Sequence, residues 1–135
     1  MNRDRVCAAL IIDNTILMVR IDEQDRSFWT LPGGGVEKGE TYEQAVAREM
    51  VEETNIRVRV IRQLFEMRYS QGIDRCFLVE QIHNEEKASL GYDPELNRNN
   101  QVLKGIDWRP INELKEDLQV RIVLEAISSN RIVKA

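Results

Sequence analysis

Apolar residues run unbroken from position 6 to 12 and resume from 16 to 21 with Arg20 the only interruption. Both runs are rich in β-branched and aliphatic side chains, which predicts strands over residues 6–13 and 16–21, joined in a hairpin by an Asx-type turn at Asn14-Thr15. Phe28, Trp29, Thr30 and Leu31 form a short third strand leading into Gly33-Gly34-Gly35, which reads as a ligand-approaching loop. The period then changes. Ala45, Val46 and Met50 share one arc of a helix over about residues 42–54, with Thr41 placed as its N-cap and Glu43 and Gln44 in its first turn.

After this helix Ile56, Val58 and Val60 alternate with Arg57 and Arg59, the pattern of a half-exposed strand. A further strand pair is expected over residues 64–69 and 75–82, turning at Ser70-Gln71-Gly72. Residues 83–104 are polar and read as a long loop, a length that within a compact domain often signals function. Gly105 to Pro110 returns as a strand that the proline ends, and a last helix over about residues 118–130 carries Ile122, Val123, Ala126 and Ile127 as its apolar stripe. No repeat or linker interrupts this order. It is the pattern of one α+β domain covering residues 1–135.

Composition narrows the classes. Hydrophobic residues at 42% and charged residues at 31% describe a globular domain. A net charge of −4 supplies no basic patch and argues against a duplex nucleic-acid partner. Asp13 stops the first apolar run, no cleavage-site pattern follows it, and no stretch nears the roughly eighteen apolar residues a membrane helix needs, so no leader and no membrane partner are expected. Cys7 and Cys76 stand in strands without C-x-x-C spacing and read as buried free thiols, which suits a reducing cytoplasm. His83, beside Asn84, Glu85 and Glu86, is assigned no role.

The candidate chemistry lies between residues 34 and 56. Gly34, Glu40, Arg48, Glu49, Glu52 and Glu53 have the spacing G-x5-E-x7-R-E-x-x-E-E, and Glu49, Glu52 and Glu53 fall on one helical face. Like charges so placed repel by a few tenths of a kcal/mol per pair, and burial makes the cluster less favourable still. A hard divalent cation reverses that sign, because such ions take oxygen ligands from carboxylates and substrate phosphates. Arg48, which keeps its proton, can pair with Glu40 and tie the loop to the helix. Glu43 reads as part of a solvated face.

This segment resembles the Nudix box, G-x5-E-x7-R-E-U-x-E-E-x-G-U with U aliphatic, and the chain is identified on it as a member of the Nudix hydrolases. A chance match is on the order of one in a million from ordinary composition. The one departure is Asn55 in place of the last glycine, a conservative change where a left-handed residue ends the helix. The resemblance implies the Nudix fold, an α/β/α sandwich around a central mixed β-sheet, and hydrolysis of a nucleoside diphosphate linked to another moiety, with Mg²⁺ or Mn²⁺ as cofactor. It implies Glu49, Glu52 and Glu53 as metal ligands, with the Gly33 carbonyl completing the sphere. By the same resemblance Glu52 or Glu53 is the expected base, the sequence not separating base from ligand, and Arg48 and Glu40 join the catalytic set as its scaffold.

Family members often add an acidic residue from the loop before the last strand. Ahead of Trp108 this chain offers Gln101 and Asp107, so Glu95 or Asp93 is the substitute expected here. Trp29, Phe28 and Tyr92 are candidates for stacking on a base. The subgroup markers for ADP-ribose and dinucleoside polyphosphate enzymes are absent: Gln71 and Ile73 occupy their positions, and Tyr69 is out of register. Nucleoside triphosphates, nucleotide sugars and ADP-ribose therefore all stay open. The expected partner is a small-molecule nucleotide, with a homodimer left open, and the alternative to the enzyme is a non-catalytic nucleotide-binding or sensor module on the same fold.

Overall fold

The computed structural model describes residues 3–91 and 102–135, and among these residues it has eight strands and two α-helices. Strands β1 (Arg5–Ile12) and β2 (Thr15–Glu23) form the expected hairpin, in register Ile12↔Thr15. Its turn falls one residue earlier than expected, at Asp13 (φ 50°) and Asn14 (φ 63°). With positive φ at both central positions this is the type I′ form of a two-residue hairpin turn. Asp and Asn tolerate that, whereas β-branched Thr15 does not.

β3 (Arg26–Thr30) pairs with β2, and the glycine run then forms a short strand, β4 (Gly33–Gly35), rather than the expected loop. It lies antiparallel to β1 with Val6 opposite Gly34. β5 (Val58–Tyr69) is one strand where two were expected. Register shifts between Val60 and Arg62 and between Gln63 and Phe65 break the alternation, so that adjacent Leu64 and Phe65 are both buried. β6 (Gly72–Gln81) follows a turn at Ser70-Gln71, and β7 (Leu103–Pro110) begins inside what read as loop. β8 (Val133–Lys134), parallel to β5, is too short for any periodicity to reveal.

The strands form a mixed sheet in the order β3-β2-β1-β6-β5-β8, with β4 attached to β1 and β7 to β2. Alternation along β1 divides the core into two layers. Val6, Ala8 and Leu10 pack with Ala45, Val46 and Met50 of helix α1 (Tyr42–Thr54). Cys7 and Ala9 pack with Val120, Val123 and Ala126 of helix α2 (Leu118–Ser129). The result is the α+β sandwich expected, a helix on each face. Cys7 and Cys76 are in register across the parallel β1–β6 pair, both buried and both free thiols. β1 and β2 share hydrogen-bonded register only at residues 11–12 and 15–16. Beyond that point β1 pairs with β4 and β6 while β2 pairs with β3 and β7, and a crevice opens between them.

Both ends of α1 are fastened. At the N-terminus Thr41 Oγ1 accepts from Gln44 N (3.1 Å) while Gln44 Oε1 accepts from Thr41 N (2.9 Å), a reciprocal capping box. The Tyr42 hydroxyl donates to Asp4 (3.0 Å), which also accepts from Ile73 N and Arg75, fixing the first turn against the start of β1. At the C-terminus Asn55 adopts φ 60°, and its Nδ2 donates to the carbonyl and hydroxyl of Ser89. Ser89 N and Gly91 N in turn donate to the carbonyls of Thr54 and Glu53, both at 2.9 Å, satisfying acceptors a helix end leaves open. Here the asparagine does what the family glycine cannot, because it adds two side-chain bonds while keeping the left-handed bend. Asn55→Ala is expected to lower unfolding free energy by about 1–2 kcal/mol, and Asn55→Gly by less, since only alanine adds left-handed strain to the lost bonds. Urea denaturation of the two variants checks the order.

Candidate active site

Helix α1 lays Glu49 and Glu53 against the glycine strand. Gly33 N donates to Glu53 Oε1 at 3.0 Å. A Cβ on Gly34 would sit 2.5 Å from the carboxyl carbon of Glu49, so the absence of a side chain there is what lets the carboxylate approach the strand. Arg48 fans out beside them. Its Nε and Nη2 grip Glu40 (2.7 and 2.9 Å), Nη2 also donates to the Gly35 carbonyl (2.9 Å), and Nη1 reaches Glu49 (2.8 Å) and Glu52 (3.2 Å). Glu40 is held from the other side by Glu37 N, and the guanidinium keeps its carboxyl below the usual range. The Arg48–Glu40 brace read from the spacing is thus in place, with both side chains largely shielded from solvent.

The three glutamates share a face but do not gather about one point: among the described residues no three acidic, histidine or cysteine side chains stand arranged to hold an ion. Repulsion is relieved locally. Arg48 draws Glu49 and the half-exposed Glu52 one way, and the Gly33 amide holds Glu53 another. Relief is incomplete, because burial pushes the Glu49 carboxyl up despite Arg48 and lifts Glu53 to about 8 despite the bond from Gly33. Nearby Arg5 works against burial at Glu49, Glu53 and Asp74 alike. Two carboxylates held out of water with only partial compensation, in an all-oxygen donor set, are chemistry that suits a hard cation.

Beside Glu53, in the crevice between β1 and β2, lies a cavity of about 160 Å³ that Gly33 also lines. Asp74 from β6, Gln119 from α2, and Phe28 and Thr30 from β3 line it as well. Trp29 does not line it. It points to the opposite face of β3, paired with Arg20 and stacked under the Arg109 guanidinium (5.0 Å), so of the two aromatic neighbours Phe28 meets the cavity. Tyr92, Asp93, Glu95 and Gln101 lie outside the described residues. Asp107 is exposed on β7 opposite Met18. His83 is half-exposed and nearest Glu85, as its neighbours in sequence suggested.

Asp74 escaped the reading from sequence. Its Oδ1 is buried with no hydrogen-bond partner among the described residues, a condition that costs about 1–3 kcal/mol, and burial raises its carboxyl. The strand expected over residues 75–82 begins one residue after it, and only the observed start of β6 at Gly72 puts Asp74 on the face of Cys76, two residues on. Gln119 had no signal beyond its position at a helix start.

A family model described as NUDIX domain matches residues 1–126. The chain is 35% identical over 116 residues to a putative mutator protein MutT4 of Mycobacterium tuberculosis, covering 86% of this chain and 43% of that protein. It is 33% identical over 103 residues to an RNA pyrophosphohydrolase of Orientia tsutsugamushi, covering 69% of this chain and 63% of that one. The chain thus spans less than two thirds of the length of these curated relatives. Among solved structures, a MutT NUDIX hydrolase from Burkholderia pseudomallei superposes with a TM-score of 0.70 at 22% identity, over 94% of this chain and 98% of that one. An ADP-ribose pyrophosphatase from Streptococcus suis does so with a TM-score of 0.69 at 17% identity, over 99% and 98%. At these identities the superpositions speak for the fold alone.

The raised carboxyl of Glu53 sets a pH dependence. An unfolded glutamate loses its proton near 4.5, whereas the folded one holds it to about 8. In that window the unfolded state binds fewer protons than the folded one, so stability present below about 4.5 is lost as pH rises through 8. Without added metal the thermal midpoint is expected to fall between pH 5 and 9, and Glu53→Gln to flatten that fall. Calorimetric scans in chelator across the range measure both.

Proposed function

The chain belongs to the NUDIX domain family, and from that premise we propose that it hydrolyses the pyrophosphate bond of a nucleoside diphosphate derivative with Mg²⁺ or Mn²⁺ as cofactor. The observation that carries the reading is the pair of largely shielded, under-compensated carboxylates Glu49 and Glu53 set against a side-chain-free strand. A structural helix gains nothing from such a pair. A cation-binding one needs it, because the cost in the free protein is returned when the ion arrives.

In this reading Glu49, Glu52 and Glu53, with the carbonyl of Gly33, would hold the cation, whose charge would draw together side chains that stand apart without it. Once bound, the metal neutralises phosphate charge and acidifies water. The protein's own residues do the rest. Arg48 keeps Glu49 oriented and, through Glu40 and the Gly35 carbonyl, holds the glycine strand at a fixed distance from the helix. Removing Arg48 would leave several carboxylates facing one another unbridged, a loss above that of a surface ion pair and below the roughly 3–5 kcal/mol of a fully buried one, since these side chains keep some contact with solvent. Glu52, more than half exposed, and Glu53, buried, are the two groups that can accept the proton of the attacking water.

Relatives named RNA pyrophosphohydrolase and NAD-capped RNA hydrolase widen the substrate class from free nucleotides to pyrophosphates borne on RNA. No helix among the described residues is long and apolar enough to cross a membrane. The two free thiols support a cytoplasmic setting. Phosphate release from a panel of nucleoside triphosphates, nucleotide sugars, ADP-ribose and 5′-triphosphorylated RNA, with each metal, tests the reaction. Turnover of at least one class that chelator abolishes is expected, and silence across the panel with both metals would sink the reading in favour of a binding module. Glu53→Gln should lower turnover by orders of magnitude while leaving the metal-free midpoint at pH 8 unchanged or higher. A collapse of stability would mark the cluster as structural.

A further inference from the structure

The cavity next to Glu53 has a composition that the metal site does not explain. Val19, Ile21 and Phe28 make one wall, brought together because Val19 faces Thr30 and Ile21 faces Phe28 across the β2–β3 pair. Arg5, Glu23, Glu53, Asp74 and Gln119 supply polar groups to the same space. A cavity with one apolar wall and convergent polar groups opposite it has the makings of a small-molecule site. Its volume of about 160 Å³ is several times the ~30 Å³ of one water, room for a flat ring system and little more.

The polar groups are specific in what they offer. Gln119 spends its carboxamide oxygen on Leu31 N (3.1 Å) and the Thr30 hydroxyl (2.9 Å), so the NH₂ is the group it has left to give. Leu31 N can only donate, which fixes the amide orientation. Asp74 is the reverse case, an acceptor whose Oδ1 is buried and meets no hydrogen-bond donor among the described residues, with Arg5 opposite it in register as a nearby charge but not a bonded partner. The chain does satisfy carboxylates where they only brace the fold: Asp4, at the mouth of the same strand pair, accepts from Tyr42, Ile73 N and Arg75. Asp74 has been left without such partners inside a cavity.

A carboxylate accepts best from two parallel N–H groups. Among the common nucleobases guanine alone presents two adjacent donors on its pairing edge, the ring N–H and the exocyclic amine, with a carbonyl beside them that an amide NH₂ can meet. We propose that this cavity is the base subsite of the enzyme and that Asp74 is its specificity-determining residue, selecting a guanine ring through a paired N–H···carboxylate contact, with Gln119 as the accompanying donor. The assignment rests on the pyrophosphohydrolase reading for its location but not for its test.

Titration calorimetry of the metal-free protein with GMP, IMP and AMP at millimolar concentration reads the base contact without turnover. IMP differs from GMP only by the exocyclic amine. GMP is expected to bind at least about tenfold tighter than IMP or AMP, the scale of one good bidentate base contact. Asp74→Asn should weaken GMP at least about tenfold and erase its advantage over IMP. Equal binding of the three nucleotides, no binding of any, or an Asp74→Asn protein that folds and keeps the preference would each overturn the proposal. The ranking on the unaltered chain stands whether or not the variant folds. A hydrolase that turns over the panel but ignores the base defeats this inference alone, whereas selective binding of GMP without turnover of any substrate defeats only the enzyme.

Discussion

One guanidinium holds the site in the shape it has. Arg48 meets Glu40 with two nitrogens, the Gly35 carbonyl with one of the same pair, and Glu49 and Glu52 with the third. It therefore connects three pieces of backbone: the turn before α1, the strand of glycines, and the helix itself. A planar fork with fixed donor directions can do this where a lysine ammonium could not, because each bond constrains the others. The arginine also offsets the repulsion its neighbours generate, so the acidic cluster can exist before any cation reaches it.

What Arg48 secures, the sheet makes possible. β1 keeps company with β2 for only two register pairs and then turns its edge to β4 and β6. That parting of strands produces the crevice, and the glycine strand fills part of it while presenting no side chains to Glu49. Burial on one side and absence of bulk on the other are both needed. Together they explain why Glu49 and Glu53 sit largely out of water with carboxyls of raised proton affinity, while Glu52, one step around the helix, stays open to solvent.

Much of this was legible in the order of residues. The 3.6-residue period of Ala45, Val46 and Met50, the cap at Thr41, and the spacing of Glu40 and Arg48 each carry a local physical signal, and the helix and its brace match them. The α2 stripe was readable for the same reason at Ile122, Val123 and Ala126, whereas Ile127 is exposed and Val120, one turn earlier, is buried instead. Features set by partners distant in sequence were not. The glycines became a strand because β1 offered its edge, β5 read as two because its bulges reset the alternation, and Trp29 turned away from the cavity because pairing with β2 fixed which face it shows. Asp74 was the costliest omission, since an aspartate within a strand carries no periodicity of its own and acquires meaning only from the crevice around it.

The fastening of the helix end by residues 89–91 has a further consequence. Gly91 N reaches the Glu53 carbonyl, and a Cβ at Gly91 would lie 1.8 Å from the carbonyl oxygen of Glu52, so the chain passes the helix there at the closest approach a backbone allows. The two glutamates' main-chain carbonyls thus meet a neighbour far along the sequence even as their side chains face the site. A side chain at Gly91 would force residues 89–91 off the helix end, and with them the bonds that close the Thr54 and Glu53 carbonyls, so the helix that carries the glutamates is held at its end by a position from which bulk is excluded.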